Sequence, residues 1–200
     1  MNKTPPTWFS LFRNNYIKNY IFLVIAAYHN IPDASHKVVK VEEDRRTELV
    51  QEMRYLRNKF HINFPIAYEA GEGRKRMDIC CYLDGLSEDY YICFECKRFL
   101  RKSITNSNFD CEYYNEGIRR FEQGQYSPKM LQAGMLSFLE TGAMDKLEEL
   151  MQRKLPQTAA NKCVENLSLT YSFPYVYKTL HRRDSGLGDI YLYHILLDFT

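Results

Sequence analysis

The sequence predicts an α/β protein in which a small mixed β-sheet is flanked by α-helices on both faces. Apolar residues recur at helical spacing early in the chain, strand-like runs follow in the middle, and both kinds of segment are mixed towards the end. The composition, 45% hydrophobic and 26% charged, is typical of folded globular proteins and excludes disordered, collagen-like and coiled-coil classes. At 200 residues, the chain is expected to form a single domain over 1–200.

Two helices are predicted before the first strand. Residues 8–29 carry aromatic and aliphatic side chains at helical spacing, and this helix should end before Pro32. It would make 1–31 an N-terminal helical segment packed on the domain. A second helix is predicted over 42–60, and its first turn is acidic, which complements the positive end of the helix dipole. The apolar face of this second helix consists of Leu49, Met53, Leu56 and Phe60.

Three strands are predicted in the middle of the chain. The first lies within 62–69 and is followed by a basic turn at 71–76. Residues 77–83 and 90–97 are apolar runs with the turn signal Asp84-Gly85 after the first of them, so we expect these two strands to form a hairpin.

The later elements are assigned from spacing and from glycine and proline. Helices are predicted over 112–121, 128–141 and 144–153, and strands over 168–171, 175–180 and 189–199. The prediction for 128–141 rests on apolar residues at roughly helical spacing with Gly142 ending the helix. Those residues are Met130, Ala133, Met135 or Leu136, and Leu139.

Charge and apolar runs exclude several protein classes. The chain has 27 Lys and Arg against 25 Asp and Glu, and a net charge of +2 does not by itself indicate a polyanionic partner. The longest apolar run covers only residues 21–28, whereas a bilayer span takes roughly 20 residues, so no membrane partner is expected. The polar residues before that run argue against a secretory leader. We expect a cytoplasmic protein.

The cysteines are expected to be reduced. Four of the six lie inside strand-like runs, where they behave as small buried apolar residues. Cys93 and Cys96 form a CxxC pattern, which in other settings holds zinc or a redox disulfide. Residues three apart on a strand point to opposite faces, so these two thiols are not expected to bind one metal.

An unusual charge pair stands near the end of the strand predicted over 90–97. Glu95 and Lys97 are two residues apart and therefore share one face of it. Asp78 is the charged residue at the edge of the neighbouring strand, and antiparallel pairing could bring it near Glu95. Charges placed in apolar strands cost free energy unless they pair or hold a ligand.

Two carboxylates and a lysine suit a particular chemistry. Mg²⁺ prefers a few hard oxygen ligands and keeps several waters, and phosphate oxygens can complete its coordination shell. A lysine beside the ligands can orient a metal-bound water and stabilise charge that develops on phosphorus. The plainer alternative is that Glu95 and Lys97 form an ordinary ion pair on an edge strand, with Asp78 a simple strand-start residue.

At these residues the sequence resembles the PD-(D/E)xK nuclease superfamily. Asp78 matches its strand aspartate and Glu95-Cys96-Lys97 matches its (D/E)xK triplet, while Met77 stands where the name-giving proline would be. The order of elements over 42–140 matches as well. The resemblance implies a restriction-endonuclease-like fold and a Mg²⁺ site, with Mn²⁺ as a substitute, held by Asp78, Glu95 and the Cys96 carbonyl.

The resemblance also implies a role for an acidic residue of the preceding helix. Such nucleases often take one more metal ligand or assisting carboxylate from that helix. Glu43 is the first candidate here because it lies on a different face from the apolar stripe, Glu48 is the second, and Glu69 is a third candidate from the first strand. Each of them could equally be a solvated surface residue.

Further residues are assigned by the same resemblance. Arg120 and Tyr126 match an R-F-x-x-G-x-Y pattern of bacterial members, and His181 and Arg183 match a late H-x-R element. They would contact nucleic acid, although Gly124 and Tyr126 could equally be a helix end and a packed ring. The basic residues around these motifs are expected to line a groove for phosphates. They are Arg74, Lys75, Arg76, Lys97, Arg98, Arg101, Lys102, Arg119, Arg120, Arg182 and Arg183.

The expected function is metal-dependent cleavage of nucleic acid, with DNA as the leading candidate substrate. The resemblance implies products with a 5′ phosphate, and a homodimer is one arrangement that would cut both strands of a duplex at once. One alternative is an inactive module on the same fold that binds nucleic acid or protein. Another is a zinc-stabilised interaction domain that uses the cysteines.

Overall fold

The computed structural model describes residues 7–61, 65–70, 77–82, 91–184 and 186–200. The helices α1 to α3 are Thr7–Asn30, Asp33–His36 and Glu42–Lys59. After the strands β1 (Ile66–Ala70), β2 (Met77–Tyr82) and β3 (Tyr91–Phe99) come a 3₁₀ turn (Arg101–Ser103), α4 (Asn106–Asn108), a π-helix (Phe109–Ile118) and α5 (Arg119–Glu122). The chain continues with β4 (Gln132–Leu139), α6 (Met144–Thr158), β5 (Val164–Asn166), α7 (Ser168–Tyr171), β6 (Val176–His181) and β7 (Ile190–Asp198).

The described strands form one mixed seven-stranded sheet in the order β1-β2-β3-β4-β7-β6-β5. The first three strands are antiparallel, β4 is parallel to both β3 and β7, and β6 and β5 return antiparallel. The hairpin predicted from 77–83 and 90–97 is confirmed, since Ile79 pairs with Phe94 and Tyr82 pairs with Tyr91. The turn predicted at Asp84-Gly85 lies outside the described residues.

Helices cover both faces of the sheet, which confirms the predicted α/β class. One face packs against α1 and α3 through a cluster that includes Val24, Leu49, Ile92, Phe94 and Cys96. The opposite face packs against the π-helix and α6 through a cluster that includes Tyr113, Leu147, Cys93, Met135 and Leu196. Cys93 and Cys96 therefore lie in different cores, as the alternation of strand side chains requires. No helix among the described residues is long and apolar enough to span a membrane.

The predicted helix over 128–141 is wrong, because the chain forms the central strand β4 there. Every residue of this strand is buried, since it has a neighbour on each side and a helical layer on each face. A strand covered on both faces reads as a continuous apolar run, which periodicity alone cannot distinguish from a helix. Gly134 also has a reason to be there, because a Cβ atom at this position would lie 2.1 Å from the Phe94 ring on β3.

The remaining elements agree with the prediction in part. The strand predicted over 168–171 is wrong, because the chain makes the short helix α7 there and the nearby strand is β5. The helical prediction over 112–121 is confirmed, but most of this segment is a π-helix, a form that often marks functional sites. The helix predicted over 144–153 continues to Thr158 as α6.

Candidate metal centre

Strand β3 carries Glu95 and Lys97 on the face that packs against the π-helix. Glu95 is only 2% exposed, and Lys97 donates to its Oε1 from a distance of 2.9 Å. The π-helix passes over this pair. A Cβ atom at Gly117 would lie 3.4 Å from the Lys97 side chain and 2.7 Å from that of Met135, so the glycine leaves room for the lysine stem. The packing of this face therefore holds the predicted pair inside the protein.

Asp78 lies next to the same stretch of β3. The β2–β3 pairing ends at Ile79 and Phe94, and the Asp78 carboxylate then accepts the Cys96 backbone N–H, with 2.7 Å between Oδ2 and N. The N–H and C=O of one strand residue project towards the same neighbour, so the Cys96 carbonyl also faces the Asp78 side. The structure thus brings together the Asp78, Glu95 and Cys96 groups that the sequence predicted as metal ligands.

The acidic residue that α3 contributes to this region is Glu42 rather than Glu43. Glu42 Oε2 accepts the Arg98 backbone N–H at 2.9 Å, two residues beyond the N–H that Asp78 accepts. Glu43 is exposed to solvent on another face of α3. This is a correction to the predicted assisting carboxylate, and it arises because neighbouring residues of a helix point about 100° apart.

The other two acidic candidates have different outcomes. Glu48 is engaged in a separate cluster, where it accepts from Arg45 at 2.7 Å and from Lys40 at 2.8 Å. Glu69 belongs to β1, at the register position opposite Asp78 of β2, because Tyr68 pairs with Ile79 and Ala70 with Met77, and its side chain lies outside the described part of the protein. Sequence reasoning missed Glu42 because it chose Glu43 for its position away from the apolar stripe, and that criterion does not show which first-turn acid faces β3.

Cations flank the carboxylates on both sides. Arg120 lies 3.3 Å from Glu95 Oε1 and also donates to the Tyr126 hydroxyl at 2.7 Å, so both residues of the predicted R-F-x-x-G-x-Y pattern lie near Glu95. The predicted contact of Tyr126 with nucleic acid is corrected, because its ring is buried in the core. On the other side, Arg46 of α3 donates to Asp78 Oδ1. Arg46 was not predicted, and its spacing of one helical turn from Glu42 is the signal that could have indicated it.

One buried carboxylate oxygen of the site accepts no hydrogen bond from the residues that the structure describes. Glu95 Oε2 is buried and makes no hydrogen bond among the described residues, although the other oxygen of the same carboxylate is shared by Lys97 and Arg120. Unsatisfied buried oxygens are rare, and one reason for them is the place of an ion or ligand. Burial and the nearby Asp78 charge raise the pKa of Glu95 to about 7, against the opposing charge of Lys97.

The neighbouring groups respond to the same environment. Burial and the negative charge of Asp78 raise the pKa of Glu42, while the positive charge of Lys97 opposes this shift. Burial lowers the pKa of Lys97, but the charges of Glu95, Glu42 and Asp78 outweigh it, so the net pKa of Lys97 is raised. Lys97 therefore stays cationic at neutral pH. An ammonium in this place can stabilise an anion or orient a water, but it is poorly suited to accept a proton.

His181 and Arg183 are placed inside the protein rather than on a nucleic-acid surface. His181 is fully buried and contacts Glu122 and Thr179 at 3.0 and 2.7 Å. Arg183, 5% exposed, donates to the backbone carbonyls of the 127–130 segment. Their predicted contact with nucleic acid is corrected accordingly, because His181 joins β6 to α5 and Arg183 holds the loop between α5 and β4.

The basic residues expected to form a groove are distributed unevenly. Arg101, Lys102, Arg119 and Arg182 are exposed, Lys97, Arg98 and Arg120 are partly buried, and Arg183 is buried. Arg74, Lys75 and Arg76 lie outside the described residues. The exposed members place positive charge on the chain after β3, at the start of α5 and after β6.

Comparisons of the chain with protein-family models, with curated proteins and with solved structures find no match. In the described part of the chain, no three His, Cys, Asp or Glu side chains form a group that could hold a metal. Mg²⁺ does not require such a cage, since it binds through one or two carboxylates and keeps its waters. The unpaired Glu95 oxygen, the Asp78 carboxylate and the Cys96 carbonyl are hard oxygen donors of the kind that Mg²⁺ accepts.

Proposed function

We propose that this protein is a divalent-metal-dependent nuclease of the PD-(D/E)xK type, on a sheet of restriction-endonuclease-like topology. The observation that carries the proposal is the buried Oε2 of Glu95 beside Asp78, which has no hydrogen-bond partner in the described part of the chain, while Lys97 is bound to the other oxygen of the same carboxylate. A cation site requires a carboxylate oxygen that no other group occupies. An ordinary buried ion pair does not require such an oxygen, because its carboxylate is satisfied by its own partners.

Each residue has a part in the proposed reaction. Asp78, Glu95 and the Cys96 carbonyl would hold Mg²⁺, with Mn²⁺ as a substitute. The bound ion supplies a water of lowered pKa and offsets charge on the scissile phosphate. Lys97, which remains cationic, orients the attacking water and stabilises the negative charge that develops on the phosphate oxygens. Glu42 supports the site from α3, and Arg120 contributes positive charge for the nucleic-acid backbone.

DNA is the proposed substrate and the products would carry a 5′ phosphate. The exposed arginines and lysines after β3 and after β6 provide sequence-independent attraction for phosphates. A homodimer would allow two such centres to cut both strands of a duplex.

Cleavage of defined substrates tests the proposal. Circular and linear, single- and double-stranded DNA and RNA are incubated with the protein in Mg²⁺, Mn²⁺ or EDTA, and circular substrates separate internal from terminal cutting. We expect cleavage that EDTA stops. Glu95→Ala and Lys97→Ala should lower it by at least about 10²-fold, the scale of losing one electrostatic catalytic group, while Cys96→Ser should have a mild effect since its contribution is a backbone carbonyl.

A matched control is available in the same sheet. Lys178 forms an ion pair of 2.7 Å with Glu165 on β6 and β5, far along the sheet from β3. Lys178→Ala removes a strand lysine from a glutamate as Lys97→Ala does, and it should cut at the rate of the unmodified protein. Equal cleavage by the unmodified protein and folded Lys97→Ala would refute the proposal.

A non-catalytic binding module is the second candidate. It is favoured by the balance of charge, because Arg46, Lys97 and Arg120 already face the carboxylates of the site. Calorimetric titration with Mg²⁺ or Mn²⁺ separates the two, since this second function requires nucleic-acid or protein binding without metal binding.

A further inference from the structure

Arg46 lies where α3 meets the metal centre. It follows Glu42 by one helical turn, so both side chains project from the same face of α3 towards β2 and β3. Arg46 is 6% exposed and its guanidinium donates to Asp78 Oδ1. A buried guanidinium with a carboxylate partner is a fixed cation of the site.

The hydrogen bonds to the carboxylate oxygens of Asp78 and Glu95 show which oxygen a metal ion can use. Asp78 Oδ2 accepts the Cys96 N–H, and Oδ1 accepts Arg46. Glu95 Oε1 accepts Lys97 and Arg120, whereas Glu95 Oε2 is the buried oxygen without a partner among the described residues. Both oxygens of Asp78 therefore have a hydrogen-bond donor, and the carboxylate oxygen of the centre that has none belongs to Glu95.

The charges of the surrounding side chains also limit how many divalent metal ions the centre can hold. Among the described side chains, the carboxylates of Glu42, Asp78, Glu95 and Glu116 bring four negative charges, and Arg46, Lys97 and Arg120 bring three positive ones. One divalent ion leaves an excess of +1, which a substrate phosphate can offset. A second would leave +3 around carboxylates that are mostly buried, where repulsion between cations is only weakly screened.

We propose that Arg46 takes the place of a second divalent cation and makes this a one-metal centre. The inference rests on the proposed metal-dependent function and concerns how that site is built. It assigns Arg46 as a positioning residue, which holds Asp78 Oδ1 and leaves a single ion to bind at Glu95 Oε2 and at Asp78 Oδ2, the oxygen that also accepts the Cys96 N–H.

The test counts bound metal ions directly. Mn²⁺ binding to the full chain without nucleic acid is measured by electron paramagnetic resonance of the free ion and by calorimetry, for the unmodified protein and for Arg46→Met, Arg46→Gln and Arg46→Lys. Arg54→Met is the matched control, since Arg54 lies on the same helix and donates to the Ile66 carbonyl instead. Circular dichroism checks that each variant is folded.

The unmodified protein, Arg46→Lys and Arg54→Met should bind one Mn²⁺ per chain. Arg46→Met and Arg46→Gln should bind a second ion, and their first ion should be held about tenfold more tightly or better because one buried positive charge is gone. Arg46→Gln keeps a donor for Asp78, so it reports the loss of charge even where Arg46→Met fails to fold.

The contrary outcomes are distinct. Two Mn²⁺ ions on the unmodified protein, or unchanged stoichiometry and affinity in folded Arg46→Gln, would overturn the inference while the proposed nuclease site stands. Absence of Mn²⁺ binding by the unmodified protein and by all Arg46 variants would overturn the metal-dependent function itself.

Discussion

Two buried polar clusters lie on the same face of the sheet and differ in how completely their side chains are hydrogen-bonded. The first is the centre around Glu95 on β3. The second is a chain of hydrogen bonds that runs between α5, β6, β7 and the π-helix, with contacts of 2.7 to 3.0 Å. Its members in order are Glu122, His181, Thr179, His194 and Tyr113.

The second cluster is closed and the first is open. Both ring nitrogens of His181 and both of His194 have a partner, and the Thr179 hydroxyl lies between the two rings, where it can donate to one and accept from the other. Burial, together with His181, lowers the pKa of His194 well below its usual range, so this ring stays neutral. Glu95, in contrast, has a raised pKa and one oxygen that finds no partner within the described ranges.

The comparison teaches how to separate a structural polar cluster from a candidate site. A satisfied network stabilises the packing of the elements that it joins, while an incomplete one costs stability and calls for a ligand. The helix α5 contributes to both, because Arg120 reaches Glu95 and Glu122 reaches His181. Substitutions in the two clusters should therefore have opposite effects on stability and activity.

The largest expected effect is on the pH dependence of stability without metal. The pKa of Glu95 is raised from 4.5 to about 7, so the folded chain binds this proton more readily than the unfolded chain. Unfolding free energy should then fall as the pH rises from about 4.5 to about 7, by up to about 3 kcal/mol, and stay level above that range.

Urea unfolding in EDTA at a series of pH values measures this slope. Glu95→Gln cannot ionise, so it should flatten the profile and be more stable than the unmodified protein at pH values above the Glu95 pKa. Glu165→Gln, an exposed glutamate of β5, should leave the profile unchanged. If the unfolding free energy of Glu95→Gln depended on pH as that of the unmodified protein does, burial would not raise the pKa of Glu95.

The second effect should appear in the closed cluster. Thr179→Val keeps the side-chain volume but leaves His181 and His194 each without one partner, which should cost about 2 kcal/mol of unfolding free energy, within the range for an unsatisfied buried group. Metal binding and cleavage should persist at a temperature where the variant is folded. Thr170→Val, at an exposed position, is the control. A loss of Mn²⁺ binding in folded Thr179→Val would mean that the two clusters are not independent.

The smallest effect distinguishes neighbouring acids on α3. Glu42→Gln should weaken Mn²⁺ binding by about tenfold, as expected from removing one nearby charge, whereas Glu43→Gln should bind as the unmodified protein does because its side chain is exposed. Calorimetry of the two folded variants gives the comparison. Weaker binding in Glu43→Gln alone would return the role to the residue predicted from sequence.

The centre could be predicted from sequence where a local rule applies. Alternation along a strand places Glu95 and Lys97 on one face, and the hairpin brings Asp78 beside them, so their proximity follows from the pattern of residues 77–97. The choice between Glu42 and Glu43 follows from the rotation of α3 about its axis, and packing against the sheet determines that rotation.

The position of each segment in the sheet was not available from local pattern in the same way. The segment of β4 was predicted as a helix because a strand that is covered on both faces has no polar side to reveal its period. For His181 and Arg183 the pattern identified polar residues, but only the packed structure shows that one completes a closed chain and the other holds a loop.

The sequence by itself determined the α/β class, the central hairpin and the face on which Glu95 and Lys97 lie, because alternation and helical spacing act between residues close in the chain. Tertiary structure alone decided that β4 fills the middle of the sheet, that Arg46 binds Asp78 while Glu42 binds the Arg98 N–H, and that one oxygen of Glu95 has no partner among the residues described. The physical reason is that burial and hydrogen-bond satisfaction depend on residues far apart in the chain, which no local spacing contains.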